Sequence, residues 1–217
     1  MNTVKNLWAN QWSNSFFRKS IFLSGSILIL IVIGFPVFFS FVQQRQGKLL
    51  MDPVLRMVPA RDVSIWIFVV LYATIALAIT RMVRSPEIFV RLSWAYIFLC
   101  MTRLLTISIV SLDPPEGLID LVDPFTIIFY HAENITKDLF FSGHVSTLFL
   151  IGLCLPGKKD KMIAFSASAM MAILVLVQHI HYSLDVIAAP VFSILFWYMG
   201  VKVCSIVCKL HKCPSEH

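Results

Sequence analysis

Six long stretches nearly free of charge dominate this chain and leave it little choice of fold. Residues 21–42 form an uncharged run of 22 residues. About 20 apolar residues suffice for a helix to cross a hydrocarbon core about 30 Å thick. Further runs cover 63–80, 92–112 (interrupted by Arg103), 139–156 (carrying His144), 162–180, and 186–207 (broken late by Lys202). Open sheet edges cannot be satisfied in lipid and the runs lack the alternation of barrel strands, so they read as helices. The flank Gln43-Gln44-Arg45 lacks the small residues of a cleavage site, so the first run reads as a retained anchor. With 58% hydrophobic and 14% charged residues, disorder, a disulfide scaffold and an ordinary cytosolic enzyme are excluded. The expectation is an all-α polytopic membrane protein with six transmembrane helices.

The loops alternate in charge. Lys5, Arg18 and Lys19 precede the first run; Arg81, Arg84 and Arg91 outnumber Glu87 in the second connection. Lys158, Lys159 and Lys161 outnumber Asp160 in the fourth, and Lys209 and Lys212 lie in the tail. The third connection instead holds Asp113, Glu116, Asp120, Asp123, Glu133 and Asp138 against Lys137. Positive loops stay inside, so both termini are expected in the cytoplasm. The expected organisation is a cytoplasmic segment 1–20, a six-helix catalytic domain 21–207 and a cytoplasmic tail 208–217. Arg45, Lys48, Arg56 and Arg61 in the first connection run against the rule, which suits residues that meet a ligand. The net charge of +6 is read as attraction to anionic headgroups rather than to nucleic acid.

Cys100, Cys154, Cys204, Cys208 and Cys213 are odd in number and form no extracellular cluster, which argues against a disulfide framework. For the C-terminal ones, juxtamembrane acylation stands beside a role as inert small hydrophobes. A zinc site using His211 matches no common ligand spacing.

Ionisable groups within membrane spans are costly and usually functional. Here they are Arg103, His144, His179, His181 and Asp185. In the six-helix topology, His144 opens the fourth helix while His181 and Asp185 sit at the turn into the sixth, on the extracytoplasmic face. Arg103 lies about 13–14 Å below the outer end of the third helix and can reach back towards that face. His181 and Asp185, four apart, share a helix face, and a carboxylate beside an imidazole fixes its tautomer and supports its charge. Ser142-Gly143-His144 opens an apolar run, where glycine allows close backbone approach and free N–H groups favour an anion. Two histidines, a carboxylate, an arginine and a helix start suit phosphoryl transfer, one imidazole attacking phosphorus and the other protonating the departing oxygen. Each group has a plainer reading. Either histidine alone suits a backbone carbonyl or water, Arg103 suits snorkelling, and His179, off the His181–Asp185 face, reads as structural. A His/His/Asp metal site lacks a third strong ligand at helical spacing, and Arg103 would repel the cation.

The segment Asp138-Leu139-Phe140-Phe141-Ser142-Gly143-His144-Val145-Ser146 resembles the Ser-Gly-His motif of the type-2 phosphatidic acid phosphatase superfamily, in the form found in sphingomyelin synthases. His181-Tyr182-Ser183-Leu184-Asp185-Val186 resembles the second catalytic motif of that branch. The stretch from Arg103 and Thr106 to Ser111-Leu112 and Pro115 is similar to its Arg-x-x-Thr…Ser-Leu-x-x-Pro segment, and Asp52-Pro53 with Val58-Pro59 to its proline-containing first motif. The similarity spans roughly residues 50 to 190.

The resemblance implies His181 as the nucleophile that forms a phosphohistidine, Asp185 as its support, and His144 as acid and then base. It implies neither a metal nor another cofactor. The Lys-x6-Arg-Pro motif of the conventional phosphatases is not found, so the phosphate is expected to meet Arg103, with Arg56 and Arg61 as further candidates and Ser142, Gly143 and Tyr182 beside it. At this length no extra N-terminal domain of the kind some animal relatives carry is expected.

The leading expectation is therefore a lipid phosphotransferase that moves a phospho-headgroup from a phospholipid donor to a lipid alcohol such as ceramide or diacylglycerol. Water as acceptor would make it a lipid phosphatase or a phospholipase C-like hydrolase. A lipid-binding or transport protein without catalysis is the alternative of another class, and the intact triad argues against it. A cation-coupled transporter would need its ionisable groups near the midplane. Assembly into a homo-oligomer stays open.

Overall fold

The computed structural model describes residues 2–121 and 135–208. Asp123, Glu133, Lys209, His211, Lys212 and Cys213 fall outside the described residues, as does most of the tail. The described residues form eight helices: α1 (Asn2–Trp12), α2 (Ser15–Gln43), α3 (Pro53–Met57), α4 (Ser64–Arg84), α5 (Pro86–Ile109), α6 (Gly143–Cys154), α7 (Lys158–Val177) and α8 (Ser183–Val207). The architecture is all-helical.

Five helices, α2, α4, α5, α7 and α8, are long and apolar enough to cross a membrane. The fourth apolar run departs from expectation, being helical over 12 residues only, about 18 Å at the helical rise. The reason is local. Phe140 takes a φ of 121°, which no helix accommodates, and Ser142 then starts α6 by accepting the Val145 N–H with its hydroxyl. Large apolar side chains such as Phe22, Ile65 and Ile187 are exposed on the outer faces, as a lipid-facing surface requires.

Helix starts follow their caps. Asn14 accepts the Phe16 N–H at the start of α2, and Ser85 precedes Pro86 at the start of α5. α4 and α7 run in opposite directions. Arg81 near the end of α4 meets Asp160 at the start of α7 at 2.6 Å, while Gln178 beyond α7 meets Ser64 at the start of α4 at 2.8 Å. Both described chain ends lie at one end of the bundle, where Asn14 donates to the Val207 carbonyl and Trp8 to that of Val83.

The core lies between α5, α6, α7 and α8, around Ala95, Leu99, Leu148, Met171, Val175 and Phe196. Gly200 lets α8 close on α5, since a Cβ there would come within 2.6 Å of the Arg91 carbonyl oxygen. Cys100 and Cys154 are buried in this core, and Cys208 is buried against Phe17 and Val90. At the opposite end from the chain termini, two connections are stitched together. The Lys48 N–H donates to the Ser111 carbonyl at 3.0 Å, and the Asp113 N–H to that of Lys48 at 3.2 Å.

Candidate active site

The starts of α6 and α8 meet at that end. The Ser142 N–H donates to the Asp185 backbone carbonyl at 3.1 Å, so the cap of α6 is tied to the first turn of α8. His144 occupies the first turn of α6 and is half-buried. His181 lies in the turn between α7 and α8, 4% exposed, and its ring centroid stands 6.3 Å from that of His144.

Asp185 is the third residue of α8 and almost wholly buried. Its Oδ2 accepts the Tyr182 N–H at 3.2 Å, which starts the helix, and faces His181 Nδ1 at 3.4 Å. A proton on Nδ1 directed at this carboxylate leaves the lone pair on Nε2, the tautomer a nucleophile needs. The long separation suits a resting site whose hydrogen bonds tighten when substrate binds.

Arg103, in the last third of α5, is 16% exposed at its side chain and forms an ion pair with Asp138. Asp138 belongs to the extended segment ahead of Ser142. Burial alone would raise its carboxyl pKa. The Arg103 guanidinium, assisted by both imidazoles, outweighs burial and holds the group below the ordinary value of 3.8. The guanidinium rests against Gly143, where any side chain would collide with it. Arg103, Asp138, Gly143, His144, His181 and Asp185 thus form one cluster from three parts of the chain.

The other expected site residues are placed differently. Ser142 is fully buried, its hydroxyl engaged as the cap of α6. The Tyr182 hydroxyl donates to the Asp113 carbonyl at 2.8 Å and accepts the Leu50 N–H at 3.2 Å, so it holds two loops together. Arg56 is exposed and lines a separate cavity of about 420 Å³ with Asp52, His179 and Tyr182; neither His144 nor His181 is part of that lining. Arg61 is also exposed, its backbone N–H bound to the Val177 carbonyl. The His179 ring sits between two backbone carbonyls, Nδ1 at 2.9 Å from that of Glu116 and Nε2 at 2.8 Å from that of Val58.

Two acids were not singled out from sequence. Asp138 stood at the head of the Ser-Gly-His segment and among six acidic residues of its connection without being given a role, although a buried arginine in a span requires a carboxylate partner. Asp52 caps α3 with one oxygen and accepts the Ser183 N–H at 2.6 Å with the other, joining the first connection to the start of α8. Among the described residues no group of three or more His, Cys, Asp or Glu side chains is arranged to hold a metal ion.

Fold and site together define an integral membrane protein with a buried histidine–histidine–aspartate cluster beside an arginine at one end of its bundle. Residues 137–202 match the family model described as PAP2 superfamily C-terminal, a stretch containing Asp138, both histidines and Asp185. That match supports a place in the type-2 phosphatidic acid phosphatase superfamily. No curated protein and no solved structure matches the chain.

Proposed function

We propose that this protein is a lipid phosphotransferase that carries a phospho-headgroup from a phospholipid to a lipid alcohol such as ceramide or diacylglycerol by way of a phosphohistidine on His181. The observation that carries the proposal is the pair of imidazoles at 6.3 Å, one of them backed by Asp185. A phosphorus about 3–3.5 Å from an attacking nitrogen, with the leaving oxygen within hydrogen-bond reach of the acid, requires two rings roughly 6–8 Å apart.

In the first step His181 Nε2 attacks phosphorus and the bond from phosphorus to the glyceride oxygen breaks. His144, as imidazolium, gives its proton to that oxygen, and diacylglycerol departs. In the second step neutral His144 takes the proton of the acceptor hydroxyl, whose oxygen attacks phosphorus; the P–N bond breaks and both histidines return to their starting states. Asp185 supports the positive charge that His181 acquires in between. Arg103 offers the guanidinium edge not engaged by Asp138 to the phosphoryl oxygens. Asp138 Oδ1, buried and without a hydrogen-bond partner among the described residues, suits a donor group on the substrate.

An apolar cavity of about 250 Å³, lined by Tyr96, Thr147 and Ile151 among others, supports a lipid substrate. Tyr96 lies seven residues before Arg103 on α5 and Ile151 seven after His144 on α6, so the cavity continues the faces that carry the site, about 10 Å deeper. The basic residues at the end that holds the termini support a cytoplasmic location for that end and an extracytoplasmic one for the histidines. α6 serves as a short sixth crossing in this reading. Water in place of the alcohol would turn the same residues to hydrolysis.

Incubating the purified protein with labelled phospholipid, with and without ceramide, and identifying products by mass spectrometry tests the proposal. A phosphosphingolipid formed only with ceramide is the expected result. Diacylglycerol released equally without an acceptor would make the protein a hydrolase, and no product with any lipid would remove the enzymatic reading.

A further inference from the structure

A second feature lies away from the histidines. Between α4 and α7 a groove of about 670 Å³ is lined by Val69, Ala73 and Thr74 from one helix and by Lys159, Ser166 and Met170 from the other. Apart from Lys159 and Ser166 its lining is apolar, since the Thr74 hydroxyl is turned into its own helix, donating to the Val70 carbonyl at 2.8 Å. Val69, Met162 and Met170 along it are each more than half exposed, so the groove opens sideways towards lipid.

Its geometry has a direction. From Lys159 to Met170 α7 rises about 16 Å, close to the depth of one leaflet of a core about 30 Å thick. Lys159 stands at the end of the bundle remote from His144 and His181, with Lys158 and Arg84 also exposed there. The acid in the first turn of α7, Asp160, is already bound by Arg81 through two contacts of 2.6 and 3.0 Å. Lys158 and Lys159 are therefore left without that carboxylate as a counter-charge. No side chain caps the start of α7, whose N-cap is Gly157.

A chain-length apolar slot that ends at uncompensated positive charge fits one kind of occupant. We propose that the α4–α7 groove binds a single anionic phospholipid of the adjoining leaflet, its phosphate at Lys159 and one acyl chain along Ala73, Ser166 and Met170. The lipid is a bound partner rather than the substrate, because it lies at the other end of the bundle from the imidazoles.

The test uses the full chain purified in mild detergent, titrated with phosphatidylglycerol or with phosphatidylcholine of the same acyl chains, with bound lipid counted by native mass spectrometry. Phosphatidylglycerol should be retained in preference, and Lys159→Gln should weaken its binding about fivefold, the effect of one lysine near an anionic headgroup. Ala73→Leu and Ser166→Leu, both at exposed positions where folding is undisturbed, should fill the slot and displace the lipid whatever its headgroup. Equal retention of the two lipids, unchanged binding by Lys159→Gln, or binding that survives both slot-filling substitutions would each overturn the proposal. The readout is bound lipid, so it is independent of turnover.

Discussion

The guanidinium of Arg103 occupies the space that a Cβ on residue 143 would need, so Gly143 is the seat of the arginine. The glycine of the Ser-Gly-His sequence thereby acquires a specific reason: it lets a charged side chain from α5 lie flat against the first turn of α6. Gly143→Ala should displace Arg103 and lower turnover about 100-fold, the scale on which small misplacements act. Helical content by circular dichroism should be unchanged. Full activity in a folded Gly143→Ala protein would mean that the arginine is not needed where it sits.

In the proposed mechanism the two imidazoles act on one phosphorus atom, so their losses should not add. His144→Ala and His181→Ala should each reduce turnover by at least about 10³-fold. The double variant should be scarcely worse than the poorer single one, because groups that work as a unit are non-additive. Steady-state assays of the three proteins decide this, and losses that multiply would point to independent roles.

Asp185 faces the His181 ring and the Tyr182 N–H with the same oxygen, which allows its two duties to be separated. Asp185→Asn keeps an acceptor for the backbone but removes the charge; it should cut turnover by roughly 10²–10⁴-fold with little change in thermal stability. Asp185→Ala should add a stability loss of about 1 kcal/mol as the cap disappears. Comparing melting and activity in the two variants checks the separation.

Asp52 carries the pH dependence most open to measurement. Burial works to raise its carboxyl pKa, but the N–H groups of Ser183, Leu55 and Val54 together hold it below 3.8. A lowered carboxyl pKa stabilises the fold at pH values above the unfolded-state value, and that contribution fades as pH falls through the folded-state one. The melting temperature of the natural protein should exceed that of Asp52→Asn at neutral pH, and the gap should narrow below about pH 4. A gap that stays constant from neutrality to pH 3 would exclude the carboxylate as its source.

The membrane helices were legible because lipid imposes one solution on any long uncharged run, and α2, α4, α5, α7 and α8 follow the runs that announced them. The fourth run misled because hydropathy cannot register the φ of Phe140 or the early cap at Ser142, which together shorten α6. α1 was not anticipated, since Asn2–Trp12 is polar on average and shows no long apolar run; Trp8 packs on Phe17 and Phe89 only once α2 and α5 are in place. At the site, His144, His181, Asp185 and Arg103 announced themselves as ionisable groups in apolar surroundings. Asp138 did not, because its importance lies in a partner 35 residues away. The Tyr182 hydroxyl meets Asp113 and Leu50, which come from connections whose approach no local pattern encodes.

The carboxylate that steadies the His181 imidazole is also the one that begins α8. Chemistry and scaffold therefore share an atom, so a substitution that removes this oxygen loses the support of the ring and the first hydrogen bond of the C-terminal helix together. Evolutionary change in which lipids are accepted has a freer course through the surface segments around residues 48–60 and 113–121, which lean on the core by a few hydrogen bonds to Tyr182, Gln178 and His179. A lineage could exchange those segments to suit new membranes while the reacting groups stayed as they are.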